Sequence, residues 1–289
     1  MGNRRMIEAV LIASWVTGVC WGSGCTQDPA APRQDVSPAN PVDAVLERLN
    51  KTTSQIKSYE ARIEYKYSQP LLESESLNKG ILYYTRSGGT ASLRVNFDTR
   101  KQDNEEEQKY AEHYIVLDGA RLSSPGHPLK GIWLAHLDYQ IKEAKFYQLA
   151  EPNDPNAPAD LFELAGRNLP MLGFTKTEDL KREFEVELVT PEKDAPKESV
   201  QVHLKVRPNS VYKDDFVSMD FWIDQKLGLP VRAVAVKTEP EPPFGDIQEI
   251  RFIKPTVNKD IDGKVFEFKI PNGFGEPEIV PLQKNKSRK

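Results

Sequence analysis

Few residues of this chain belong to types that do covalent or metal chemistry. There are two cysteines, Cys20 and Cys25, and four histidines, His113, His127, His136 and His203. Both cysteines lie in the first 25 residues, so the remainder can form no disulfide, no cysteine metal site and no cysteine nucleophile. The histidines are isolated from one another. No His-Glu-x-x-His helix, phosphate-binding glycine loop or Gly-x-Ser-x-Gly elbow occurs. Acidic side chains either alternate along strand-like stretches or crowd together at 105–107, as solvated faces do. Only folding could bring a carboxylate pair together. The expectation is therefore a protein that is not an enzyme, with no metal and no organic cofactor.

Cys25 has a different chemistry open to it. Arg4 and Arg5 precede an uncharged apolar stretch that runs to Cys25, the pattern of an export signal over 1–25, although Glu8 at its edge is unusual. An uncleaved membrane anchor is the competing reading. Ser23 and Gly24 are the small residues that a bacterial lipobox places before its lipidated cysteine, while Gly22 stands where leucine is usual. Cys25 is thus a candidate lipid anchor, and cleavage by ordinary signal peptidase nearby is the alternative. An acyl chain would add roughly 0.8 kcal/mol of membrane affinity per buried methylene.

The elements follow from composition and period. With 289 residues, 38% hydrophobic and 28% charged, the chain can bury one sizeable core, and its net charge of −4 excludes the basic face that nucleic acid requires. Segment 26–41 is rich in proline and polar residues and reads as a tether or as a disordered N-terminus. Val42, Val45, Leu46, Leu49 and Ile56 recur at helical spacing, so a helix is expected over 42–58. From Tyr59 to Tyr67 apolar and charged residues alternate strictly, as in a strand with one dry face. Further strands are expected at 80–86, 91–97, 114–117, 132–137 and 139–149, with a charged loop at 101–109. After a short helix at 160–165 and an apolar patch at 169–174, strands resume at 184–189, 200–206, 219–223, 229–237, 247–253 and 265–270. About twelve strands without long intervening helices favour sequential antiparallel pairing. A sheet of that size curls or closes. The expected fold is mainly β: a curled antiparallel sheet forming an unclosed β-barrel at 42–282, with an N-terminal helix, a short helical lid and a basic tail at 283–289.

Several motifs carry a resemblance. Gly80-Ile81-Leu82-Tyr83-Tyr84-Thr85-Arg86, Ile115-Val116-Leu117-Asp118-Gly119, Asn168-Leu169-Pro170-Met171-Leu172, Gly228-Leu229-Pro230, Phe266-Glu267-Phe268 and Pro271-Asn272-Gly273 stand in this order along about 240 residues. In that order the chain resembles the LolA-type periplasmic lipoprotein carriers, especially a longer planctomycete-type branch of outer-membrane lipoprotein-sorting proteins. The stretch from Trp133 to Leu149 is similar to that longer branch. The resemblance implies a hydrophobic cavity for acyl chains under a helical lid, and it gives Arg86 the role of a latch that holds the lid by hydrogen bonds to its backbone. Guanidinium suits this role because it offers several donors in a fixed fork. Ser87 stands where the bacterial carriers have proline, and a rim arginine at a strand end is the plainer reading.

Alternation nominates Ile63, Tyr65, Leu82, Tyr84, Leu93, Val95 and Phe97 as cavity lining, with Leu161, Leu169, Met171 and Leu172 from the lid. Each of these could equally be an ordinary core residue. The expected function is that of an exported, monomeric periplasmic protein that binds lipid or lipoprotein acyl chains. It would take part in lipoprotein sorting or carriage to the outer membrane and could be tethered there through Cys25. The alternative is an envelope-stress sensor or structural envelope lipoprotein that uses the same fold to bind a protein partner.

Overall fold

The computed structural model describes residues 40–87, 90–122, 129–152, 177–190, 192–238 and 245–282. Its first element is helix α1, Pro41–Ser54. The side chain of Asn40 accepts a hydrogen bond from the Val42 amide at 3.1 Å, and Pro41 needs no donor at the first helical position. The helix is shorter than its apolar period suggests. Ile56 is buried but lies beyond the helix, because the Asn258 side chain takes the Lys57 amide at 2.7 Å and the chain enters a strand at Ser58.

Twelve strands follow: β1 Ser58–Gln69, β2 Ser74–Ser87, β3 Thr90–Gln102, β4 Gln108–Asp118, β5 Ile132–Asp138, β6 Glu143–Ala150, β7 Phe184–Val189, β8 Ser199–Val206, β9 Phe216–Asp224, β10 Pro230–Lys237, β11 Ile247–Val257 and β12 Glu278–Val280. A second helix, α2 Thr177–Glu183, precedes β7. The strands form one sheet in the order β12-β6-β5-β4-β3-β2-β1-β11-β10-β9-β8-β7. β1–β6 form one meander and β7–β11 a second. They are joined where β1 pairs antiparallel with β11, from Tyr59 opposite Val257 to Ser68 opposite Ile247. The edge strands β12 and β7 are not paired with each other, so the sheet is an open barrel. The one parallel pair, β12 with β6, lies at its edge.

Several strands exceed their expected limits. β3 and β4 run into both ends of the charged stretch at 101–109, leaving only 103–107 outside the ladder, since charged side chains continue a ladder readily when they face water. The expected strand at 139–149 begins only at Glu143, after a turn capped by Asp138 Oδ1, which accepts from the Gln140 amide at 2.8 Å. Gly80 sits where β2 and β3 approach most closely: a Cβ there would lie 1.9 Å from the Asn96 carbonyl oxygen. The register between β2 and β3 shifts at this point, leaving Asp98 as an extra residue on β3.

The two faces of the sheet are covered differently. The inner face carries one continuous core from Phe184 on β7 to Leu149 on β6, closed at one end by Leu46 and Leu49 of α1 and Leu180 of α2. Lys181 of α2 holds Asp43 of α1 at 2.6 Å, and the Thr177 hydroxyl donates to the Leu46 carbonyl at 3.2 Å. The outer face is not uniformly wet, contrary to the simple alternation. Over β4–β6 it bears a second core of Ile115, Leu117, Trp133, Ala135, Leu137 and Phe146, covered by Phe268, Ile270 and Phe274 of the C-terminal segment.

That segment corrects the strand expected at 265–270. Gly263–Phe266 is a single 3₁₀ turn, and the residues after it run outside any ladder. Their carbonyls are taken by guanidinium groups instead. Arg94 Nη1 donates to the Val265 carbonyl at 2.7 Å, and Arg121 Nη2 donates to that of Phe266. Under this strap His113 lies 3.4 Å from Arg94, and burial, with the Arg94 charge, pushes its imidazole down to about 4, so it is neutral at neutral pH.

Two outcomes are expected. Gly80→Ala should lower urea stability by about 1–3 kcal/mol, because neither backbone has room to yield. Gly263→Ala, with nothing within 4 Å of its new methyl, should not. Arg94→Met should speed hydrogen exchange and limited proteolysis within 263–282 while leaving exchange in β1, β2 and β11 unchanged, as mass spectrometry of the fragments would read.

Candidate ligand-binding face

The residues nominated as cavity lining share the inner face. Ile63, Leu82, Tyr84, Leu93 and Val95 are at most 2% exposed, Phe97 is buried, and Tyr65 is half-buried against the same core. Their register explains why: Tyr84 stands opposite Tyr59 and Leu93, and Leu82 opposite Ala61 and Val95, so one parity of each strand points inward. Leu161, Leu169, Met171 and Leu172 of the expected lid, and the anchor Cys25, lie outside the described residues. The lid segment belongs to the connection that leaves β6 at one side of the sheet and arrives at α2 and β7 on the other.

Arg86 is on the inner face at the end of β2 nearest α1. Its Nε donates to the Tyr84 hydroxyl at 2.9 Å, and its backbone amide donates to the Lys57 carbonyl at 2.7 Å. The segment it was expected to latch is outside the described residues. On the opposite face, Arg94 and Arg121 donate to backbone carbonyls of the C-terminal segment.

Each strand of the inner face changes character along its length. Away from α1, β1 passes from Ala61 and Ile63 to Tyr65 and Tyr67, and β2 from Leu82 through Gly80 to Asn78 and Ser76. β3 passes from Leu93 and Val95 to Phe97 and then Arg100, and β4 from Val116 to Tyr114, Glu112 and Tyr110. The extra residue Asp98 matters here. Without it Arg100 would face outward; with it, Arg100 stands opposite Asn78 on the inner face.

The polar end is hydrogen-bonded within itself. Glu112 Oε1 accepts from the Tyr114 hydroxyl and lies within hydrogen-bond distance of His136 Nε2, each at 2.8 Å, and the Tyr114 and His136 rings stack at 4.5 Å. Phe97 meets Tyr65 at 6.1 Å and Tyr114 at 6.2 Å between ring centroids. Burial pushes the Glu112 carboxyl up, but the hydrogen bonds from His136 and Tyr114 outweigh it and hold the group below its usual range. Burial, with the Glu112 charge beside it, pushes the Tyr65 phenol up to about 12. The Arg100 guanidinium sits 4.7 Å from the Tyr110 ring centroid. Farther along, Tyr67 donates to Asp246.

Sequence reasoning missed Asn78, Arg100, Tyr110, Glu112, Tyr114 and His136 as one group. The expected strands stopped short of Asn78, Arg100, Tyr110 and Glu112, and the four histidines read as isolated. The structure instead puts His136 on Glu112, and His203 on Asp220 at 3.0 Å. The helpful signal was the aromatic-acidic alternation of Tyr110, Glu112 and Tyr114, hidden by its nearness to the charged stretch. Among the described residues no group of three metal-ligating side chains converges. A surface cleft of about 310 Å³ at the β1–β2 turn is lined by Ser68, Gln69, Glu73, Glu75 and Asp103 among others, too polar for an apolar ligand.

Glu112→Gln should destabilise the protein by about 2 kcal/mol at neutral pH, because it removes the charge from two hydrogen bonds. The folded-state carboxyl lies below its unfolded value, so its contribution is full above about pH 4.5 and fades as pH falls through the folded value. Urea midpoints of the two proteins should therefore converge as the pH is lowered through that window.

No family model matches the sequence, and no curated protein matches it. Solved structures do. MucB matches 79% of this chain with a TM-score of 0.43 and 11% identity, and the chain spans 62% of the MucB chain. A putative outer membrane lipoprotein-sorting protein domain from Vibrio parahaemolyticus matches 78% of this chain and 97% of its own, with a TM-score of 0.33 and 11% identity. A LolA superfamily protein from Nitrosomonas europaea matches 78% of this chain and 96% of its own, with a TM-score of 0.32 and 10% identity. These likenesses concern the fold alone.

Proposed function

We propose that this protein is an exported, non-catalytic envelope protein that binds the acyl chain of a lipid or lipoprotein against the inner face of its open sheet. The observation that carries this reading is the gradient along that face. One end is predominantly aliphatic and aromatic, and the other gathers polar side chains: Glu112, Tyr114 and His136 in one hydrogen-bonded group, with Asn78 and Arg100 beside it. A packed core has no need of a polar end, whereas an amphiphile has both parts. The open edges of the barrel leave a route by which a chain enters. The export signal expected at 1–25, with Cys25 as a candidate anchor, supports an envelope location and a part in lipoprotein sorting or carriage.

Native mass spectrometry of protein taken from its own envelope, followed by solvent extraction, tests the reading. Acyl-chain species should accompany the protein. They should be lost in Leu82→Asp and strongly reduced in Val95→Trp, each checked for a native far-UV spectrum. Protein that carries no lipid, takes up none when it is added, and captures a protein partner instead would replace this reading with that of a partner-binding sensor.

A further inference from the structure

Among the described residues, two neighbouring polar atoms at the polar end of the gradient have no hydrogen-bond partner. Asn78 is 5% exposed, and its Oδ1 atom is buried without a hydrogen bond. Arg100 stands directly opposite it on β3, and its Nε–H is also buried without a hydrogen bond. Both face inward, between the Tyr110 ring, which lies against the Arg100 guanidinium, and Tyr65, which stands opposite Asn78 on β1. A buried donor and a buried acceptor left open side by side are costly, and natural proteins satisfy such groups with something. The Asp98 bulge that turns Arg100 inward is part of the same construction.

We infer that Asn78 and Arg100 form a head-group subsite for an acyl ligand whose polar end is uncharged and offers a donor and an acceptor together, as an amide or a glycerol ester does. The ligand's carbonyl accepts from Arg100 Nε, and its N–H or O–H donates to Asn78 Oδ1. An anionic head fits poorly. Asn78 presents an acceptor, and the ionised Glu112 carboxylate lies on the next strand, opposite Phe97. The Arg100 charge already has a carboxylate and an aromatic face near it. The inference rests on the acyl-binding reading and adds to it the class of head group.

Calorimetric titration of the full chain at neutral pH with oleamide, monoolein and oleate tests it. Oleamide or monoolein should bind at least about tenfold more tightly than oleate, one good hydrogen-bonded group's worth of discrimination; which of the two is tighter tells amide from glycerol. Asn78→Leu should bring the ratio to oleate close to one while still binding all three. It should also raise the urea midpoint, because it removes a buried orphan. Arg100→Met is a second variant with the same expected loss of selectivity. Equal binding of the three by the wild type, or tighter binding of oleate, overturns the head-group inference and leaves acyl binding standing. Uptake of none of the three overturns the acyl reading, and the subsite with it.

Discussion

The antiparallel ladder between β1 and β11 is the constraint on which the rest of the domain depends. It runs from Tyr59 opposite Val257 to Ser68 opposite Ile247, and so joins the first strand to the last long one. Each meander alone is a stack of local hairpins with an exposed apolar side. Only when this ladder closes do Ile63 and Phe252, or Tyr65 and Ile250, come side by side and the two halves of the inner core become one. The closure spans nearly the whole domain, so its entropic cost is met by the burial it completes rather than by the ladder alone. Asn258, just past β11, reinforces the junction by accepting from the backbone at Lys57 and Ser58, where the chain turns from α1 into β1.

Given that junction, both faces follow from how unpaired polar groups are satisfied. On the outer face of β4–β6 the C-terminal segment supplies Phe268, Ile270 and Phe274 to an otherwise bare apolar patch. Its backbone cannot join a ladder there, and Arg94 and Arg121 take its carbonyls instead. Farther along the outer face, strands β9–β11 use an ordinary polar lattice. Arg232 bridges Glu249 at 2.8 Å and Asp194 at 3.3 Å and lies 4.3 Å from the Trp222 ring centroid. These are two solutions to one requirement: a sheet surface must be covered by apolar side chains or made hydrophilic.

The inner face solves the problem incompletely at one end. Glu112, His136 and Tyr114 satisfy one another, whereas Arg100 on the neighbouring β3 and Asn78 on β2 each keep one atom without a hydrogen bond. A single inserted residue, Asp98, decides the difference, because it reverses the parity of everything after it on β3. Gly80, opposite Phe97 at the same level, lets the two strands come close enough for the bulge to form.

By itself the sequence determined the mainly β class, the helix before β1, the sequential antiparallel pairing and the parity of the seven lining residues. These rest on local period, and a side chain two residues along a strand points the same way whatever lies across from it. The sequence also marked a turn at Asp118-Gly119, where Asp118 accepts from the backbone amide two residues on. What only the tertiary structure decided is whatever depends on a partner far along the chain. The apolar residues of 265–270 alternate like a strand, yet the chain there is a strap whose carbonyls are taken by Arg94 and Arg121 rather than by a neighbouring strand. His136 reads as isolated until β4 and β5 pair and set it on Glu112. Arg100 reads as the edge of a charged loop, and it becomes an inner-face residue because a bulge, invisible to local period, turns it there.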